Sequence, residues 1–318
     1  MIPPDRTGIS FIMPAPDYQN LIDAQTWGFI RDSEASYPPD TASLTIADQR
    51  RIYDAMCAKF HRGYPAGVVA EDRTIAGVPC RVYPGAAPTV IYLHGGGYVV
   101  GGLHSHDDVC ADIRATTGLQ VVAVDYRLSP EHLHPAAFDD ARAVVQAMPG
   151  PLLLVGDSAG GNLAAAVSHS LRGQARILGQ VLIYPGLGGD RSKGSYQTHA
   201  FAPMLTLADV EFYAGIRHGG VEVHGDATVA PLQDVDFSGL PPTVAIAAEC
   251  DPLADDAHDY AAAIRAAGGR AVSFTAPGMV HGYLRARATV ARAATSFAEI
   301  CNAISMLAQE AWPYGESK

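Results

Sequence analysis

The sequence predicts an α/β fold: a mostly parallel central sheet flanked by helices, carrying a helical cap. Three observations support that expectation. From about residue 77 onward, short β-branched runs alternate with Ala-rich helical segments, as in repeated strand–helix–strand units. Several strand candidates are continuously apolar, which fits a parallel sheet with helices over both faces. A long interval after Tyr184 breaks the rhythm at the carboxyl end of a strand, where the ligand crevice of such a sheet lies.

Taken in order, residues 1 to about 70 contain no convincing strand. Helices are expected over 19–30 and 46–61, joined by the Pro-rich Tyr37-Pro38-Pro39. Strands are expected at Val78–Tyr83, Thr89–Leu93, Gln120–Tyr126, Leu152–Val155, Gln180–Tyr184, Thr243–Ala248 and Val272–Thr275. Helices fill the intervals at 105–117, 136–148, 159–171, 254–267 and 287–310, and one more falls near 206–217. The chain therefore divides into N-terminal cap helices (1–60), a main α/β domain (61–185 and 241–318) and a cap insertion (186–240).

Composition narrows the function. A chain of 318 residues with 48% hydrophobic and 17% charged residues can bury a large core and is too apolar to be disordered. Its net charge of −11 argues against nucleic acid as a partner, since phosphate binding needs clustered Lys and Arg. Cys57, Cys80, Cys110, Cys250 and Cys301 form no C-x-x-C pair, so neither a disulfide framework nor a zinc site is signalled. Met1-Ile2-Pro3-Pro4-Asp5-Arg6 lacks a secretory leader's basic start, and no run approaches the roughly 20 apolar residues of a membrane span. The chain reads as soluble and cytoplasmic.

The chemistry sits in glycine-flanked turns. Leu152-Leu-Leu-Val155 leads into Gly156-Asp157-Ser158-Ala159-Gly160, a G-x-S-x-G between a strand and a helix. Gly156 and Gly160 permit a sharp turn that holds Ser158 strained, and the helix from Ala159 aims its positive end at the serine. Ser158 is the candidate nucleophile; a Gly-rich turn with an incidental serine is the plainer alternative. Upstream, another apolar strand runs into His94-Gly95-Gly96-Gly97-Tyr98. Glycines there let backbone N–H groups approach a developing oxyanion, and Gly96, Gly97 and Ala159 are the candidate donors. His94 reads as a residue that orients the loop. Without a lysine after Gly97 or a G-x-G-x-x-G helix, a phosphate cradle is disfavoured.

In this strand–turn–helix class the carboxylate and then the histidine follow the serine. Asp251 lies just beyond a strand end, whereas Glu249 falls within the strand and Asp255 in the first turn of a helix. Among the later histidines, His169 and His258 lie inside helices, and His199, His218 and His224 in the cap insertion. Only His281 follows the last strand in a Gly-bounded loop, so elimination and position nominate it as the base. Activity is then expected to fall as its ring takes up a proton. His104-Ser105-His106-Asp107-Asp108 resembles a metal cluster, but Val109 stands where a two-metal pattern needs histidine. It reads as a helix N-terminus capped by Ser105. His132 and His134 receive no chemistry.

With these residues in hand, the chain resembles the hormone-sensitive-lipase-like carboxylesterases, bacterial lipolytic family IV. The matching segments are His94-Gly-Gly-Gly-Tyr98, Val124-Asp-Tyr-Arg-Leu-Ser-Pro-Glu131, Gly156-Asp-Ser-Ala-Gly-Gly161, Asp251-Pro-Leu253 and His281-Gly-Tyr283, in the family's order. The resemblance implies an α/β-hydrolase fold whose cap joins the N-terminal helices to the insertion after Tyr184. It further implies hydrolysis of small esters with short to medium acyl chains, no cofactor, no metal and a possible homodimer through the C-terminal edge strand. Tyr98 stands where Phe or Trp is frequent. Acyl transfer or amide hydrolysis would use the same groups, and a non-catalytic receptor on this fold would be expected to lack one of them. Tyr98, Phe201, Met204, Leu205, Phe212, Val280 and Tyr283, with Trp27 and Phe29, are candidates for lining the substrate pocket or for packing the cap.

Overall fold

The computed structural model describes residues 16–39, 41–173, 176–221 and 223–315. The N-terminal Met1–Arg6 lie outside them. The first helices are α1 (Tyr18–Leu21), α2 (Ala24–Glu34) and α3 (Ile46–Phe60). The single helix expected over 19–30 is thus split, because Asp23 caps a new helix by accepting the N–H of Thr26. Thr45 caps α3 in the same way through the N–H of Asp48.

One sheet follows: β1 (Glu71–Ile75), β2 (Val78–Tyr83), β3 (Ala86–Leu93), β4 (Leu119–Val124), β5 (Leu152–Asp157), β6 (Ile177–Ile183), β7 (Thr243–Cys250) and β8 (Ala271–Val280). Their spatial order is β1-β2-β4-β3-β5-β6-β7-β8. β1 pairs antiparallel with β2, and β2 antiparallel with β4; every other pair is parallel. The sequence does not signal β1, because Glu71–Thr74 are all exposed and show no apolar alternation.

The helices α4 (Asp107–Thr117), α5 (Ala136–Ala147), α6 (Ala159–Ser170), α9 (Ala254–Ala266) and α10 (Ala291–Ala308) cover the sheet, with α7 (Gly194–Thr198) and α8 (Leu207–Arg217) in the interval after β6. Successive strand side chains point to opposite faces, so each apolar run serves two cores. Val90 and Tyr92 of β3 face the core shared with α4 and α10, while Ile91 and Leu93 face the one shared with α5, α6 and α9. Deleting either side of the strand pattern would open one of the two layers.

Several strand ends differ from expectation, since β3 begins at Ala86, β4 ends at Val124, β6 begins at Ile177 and β7 runs to Cys250, and three further boundaries differ for visible reasons. α4 begins at Asp107 rather than 105, and Ser105 is not its cap. The Ser105 hydroxyl instead donates to Gly102 O and accepts from Gly102 N–H, both at 3.0 Å. α10 begins at Ala291 rather than 287. A tight turn at Tyr283–Ala286 intervenes, and Arg287 reaches back to Asp108 at 2.6 Å and Asp112 at 2.7 Å. β8 continues past Thr275 to Val280, which delivers residue 281 to the carboxyl edge of the sheet. Among the described residues, no helix is long and apolar enough to cross a membrane.

Candidate active site

The residue between β5 and α6 is Ser158, with φ 54° and ψ −118°. A side chain pays for that left-handed φ in strain, and the surrounding backbone holds it there. β3 and α6 come so close that a Cβ at Gly160 would stand 1.9 Å from the carbonyl oxygen of Leu93. Glycine at 160 is therefore a steric requirement of this turn.

Two loops from distant parts of the chain meet the serine. His281, immediately after β8, places Nε2 2.9 Å from Ser158 Oγ, and its Nδ1 lies 2.7 Å from Asp251 Oδ2. Asp251 is fully buried just beyond β7, and its Oδ1 accepts the N–H of Leu253 at 2.9 Å. With the carboxylate accepting at Nδ1, the ring carries its proton there and turns a lone pair toward the serine hydroxyl. The competitors are engaged elsewhere. Glu249 accepts the N–H of Gly278, and Asp255 accepts the N–H of Ser195. His169 bonds Asp234 and Tyr260, His258 bonds Ser273 and Thr275, and His199 bonds Tyr18.

Gly96, Gly97 and Ala159 line the same cavity beside Ser158. Gly96 has φ 125°, and a Cβ there would stand 2.1 Å from Val100 O, so only glycine lets the loop curl this tightly. Ala159 opens α6, where helical N–H groups have no intrahelical acceptor. Beneath the loop, His94 donates to Gly95 O at 2.8 Å and stacks on Tyr126 at 4.2 Å. Burial, and next the nearby His106, push its pKa down to about 3, so it stays neutral and serves the loop.

Asp157, next to the serine, is a residue that sequence reasoning left unassigned. Its carboxylate accepts from Tyr92 OH at 2.8 Å and Gly95 N–H at 3.0 Å, with His106 Nε2 at 3.3 Å. Burial alone would raise its pKa; His106 and these hydrogen bonds outweigh burial and hold the carboxyl well below the usual range. The buried anion ties the glycine loop to the serine turn. Its place inside the G-x-S-x-G motif was the available signal.

The cavity measures about 800 Å³ and is walled by three parts of the chain: Tyr37, Tyr53 and Met56 near α3, the loops around Ser158, and the interval between β6 and β7. Tyr98, Met204 and Leu205 line it. The other pocket candidates lie elsewhere. Phe201 is 83% exposed, and Phe212 points outward because α8 turns Val210, Tyr213, Ala214 and Arg217 inward at helical spacing. Val280 and Tyr283 are fully buried in the sheet core, where Tyr283 OH bonds Ser296 Oγ. Trp27 and Phe29 also pack against that core. Sequence reasoning missed Asn162, whose Oδ1 accepts from Tyr98 OH at 2.6 Å while Nδ2 donates to Gly186 O and Val229 O. It also missed Arg217 and Arg285, both at the cavity wall.

Residues 90–285 match the family model described as alpha/beta hydrolase fold. The chain is 36% identical over 250 residues to the carboxylesterase NlhH of Mycobacterium tuberculosis, covering 70% of this chain and 78% of that protein. It is 34% identical over 273 residues to the carboxylic ester hydrolase LipN of the same organism, covering 77% of this chain and 71% of LipN. Among solved structures, an esterase from the bacterial hormone-sensitive lipase family superposes with a TM-score of 0.82 at 26% identity, covering 90% of this chain and 99% of that one.

Proposed function

The chain belongs to the hormone-sensitive-lipase-like branch of the α/β-hydrolase family, and from that premise we propose that Ser158, His281 and Asp251 drive hydrolysis through an acyl-enzyme. The protein is an ester-hydrolysing enzyme. The observation that carries the mechanism is the continuous row of hydrogen bonds from Ser158 Oγ through His281 to buried Asp251, opening onto the cavity. His281 Nε2 takes the serine proton as Oγ attacks the ester carbonyl, and Asp251 stabilises the imidazolium. The N–H groups of Gly96, Gly97 and Ala159 receive the oxyanion. As the tetrahedral intermediate collapses, His281 passes its proton to the departing alcohol. Water, activated by the same ring, then releases the acid.

Small esters with short to medium acyl chains are the substrates that the family resemblance implies, and the cavity is large enough to hold them. Of the described residues, those up to 60 and within 186–240 make up the cap, over a catalytic body formed by those within 61–185 and from 241 onward. That division is supported by the cavity wall and by the bond from Tyr18 to His199, which joins the two cap parts. The exposed edge of β8, carrying half-exposed Phe274, is the surface for homodimerisation, testable by light scattering. Five free, buried cysteines favour a reducing cytoplasm. Replacing Ser158 by Ala should lower kcat on p-nitrophenyl butyrate by roughly 10^4–10^6. A near-normal rate would overturn the assignment.

A further inference from the structure

The cavity wall holds a cation that the hydrolytic row does not use. Arg217, the last residue of α8, is only 6% exposed, and its guanidinium carbon sits 3.7 Å above the ring of Tyr98. Tyr98 follows the glycine loop directly, so this charge lies one aromatic ring away from the oxyanion donors. Three contacts hold the guanidinium: Val229 O at 3.3 Å, Thr228 O at 3.4 Å and His134 Nδ1 at 3.5 Å. A guanidinium has five N–H donors, and these long contacts engage at most three. Among the described residues, no carboxylate oxygen lies within 4.0 Å of it.

The other charged groups of the cavity do not offset it. Asp157 is committed to Tyr92, Gly95 and His106, and Asp190 to Ser192 and Lys193. Glu211, at the cavity wall, is exposed to solvent and makes no ion pair with Arg217. Arg285 also reaches the wall, but it has the buried Asp157 anion as an electrostatic partner and donates to Ser105 O and Tyr53 OH. A buried cation with no carboxylate in contact is costly: burial lowers the pKa of Arg217 from its usual value, and Asp226, beyond His134, offsets that only in part. An anion entering the cavity would relieve that cost.

We propose that Arg217 is a specificity-determining residue that binds a second, ionised carboxylate on the ester substrate, so that the enzyme prefers hemiesters of dicarboxylic acids or carboxylate-bearing alcohols. This rests on the hydrolytic reading of Ser158 and names the substrate class of that site. Tyr98 orients the guanidinium by stacking, and the free N–H donors form charge-assisted bonds with the carboxylate.

Two substrate pairs test it and locate the carboxylate: mono-p-nitrophenyl adipate against p-nitrophenyl hexanoate, and 4-carboxyphenyl acetate against phenyl acetate. The expected result is a higher kcat/KM for the anionic member of one pair. Arg217→Gln should cut the anionic ester by about 10–100-fold more than its neutral partner, the scale of a hydrogen bond to a charged group. Because Arg217 is buried, a second measurement uses the unaltered enzyme: free adipate should inhibit neutral-ester hydrolysis more strongly than hexanoate does. Equal rates within both pairs, with adipate no better an inhibitor than hexanoate, would overturn the proposal. Absence of turnover on all four esters would instead bring down the hydrolytic reading, and this proposal with it.

Discussion

Replacing Asp251 by Asn tests the row of hydrogen bonds while leaving the shape of the site nearly unchanged. Both carboxylate oxygens of Asp251 act as acceptors, Oδ1 from the N–H of Leu253 and Oδ2 from His281 Nδ1. An asparagine can satisfy only one of them. With its carbonyl toward Leu253, its amide donates to Nδ1, the ring proton moves to Nε2, and His281 can no longer accept from Ser158. With the amide reversed, two donors face each other at Leu253 in a fully buried site, at a cost of about 1–3 kcal/mol. Either way the imidazolium loses its anionic partner. The same exchange in a serine-protease triad lowers kcat by about 10^4, or roughly 5 kcal/mol of transition-state stabilisation. Asp251 does not line the cavity, so KM for p-nitrophenyl butyrate should change little. Stopped assays of kcat and KM, alongside a melting curve to verify folding, give the answer. A kcat within about tenfold of the unaltered enzyme would refute this account of the row.

Gly160→Ala would drive a methyl group into Leu93 O and the backbone of His94, so it should destabilise by about 3 kcal/mol or more in urea unfolding; an unchanged midpoint would contradict the packing. Asn162→Ala strips partners from Tyr98 OH, Gly186 O and Val229 O, and should cost about 2–4 kcal/mol by the same assay, with a loss below about 0.5 kcal/mol counting against the network. His94, held down to about 3 by burial, stays neutral in the folded protein while the unfolded chain protonates near its ordinary value of about 6.5. The unfolded state therefore binds more protons between these limits, and the stability contribution is complete above pH 6.5 and lost as pH falls toward 3. That is roughly 1.4 kcal/mol per pH unit from this residue alone, so Tm should drop between pH 7 and 5; a flat Tm would contradict the neutral ring.

The sheet was legible wherever burial wrote itself into local composition. Strands covered on both faces became nearly unbroken apolar runs, as in β3, β4, β5 and β7, and each strand from β2 to β8 was visible in the sequence. β1 escaped because its stability comes from pairing with β2 and not from any buried side chain. Ends were harder to place than elements. The start of α10 depends on Arg287 meeting Asp108 and Asp112, which lie far away in the sequence, and no window around residue 287 contains that information.

The same distinction divides the site. Ser158, Asp251, His281 and the glycine loop sit at strand ends between glycines, a local setting that marks them out, and the structure brings them within hydrogen-bond distance or onto one cavity wall. Phe201 and Phe212 looked like pocket residues because they are aromatic. Which side of a short segment between β6 and β7 faces inward is set by tertiary packing, and there the helical phase of α8 chose Tyr213 and Arg217. In sequence, Arg217 is simply a cation at a helix C-terminus, where any arginine would be favoured by the helix dipole. Its meaning changes only in the fold, where the end of α8 lies over Tyr98 and the guanidinium is withdrawn from water with no carboxylate in contact. The groups of the proposed reaction therefore sit in short motifs, whereas the cavity wall around Arg217 is built from contacts between segments that no single stretch of the chain contains. Aligning motifs can group this enzyme with esterases, but it cannot show that Arg217 reaches the cavity wall.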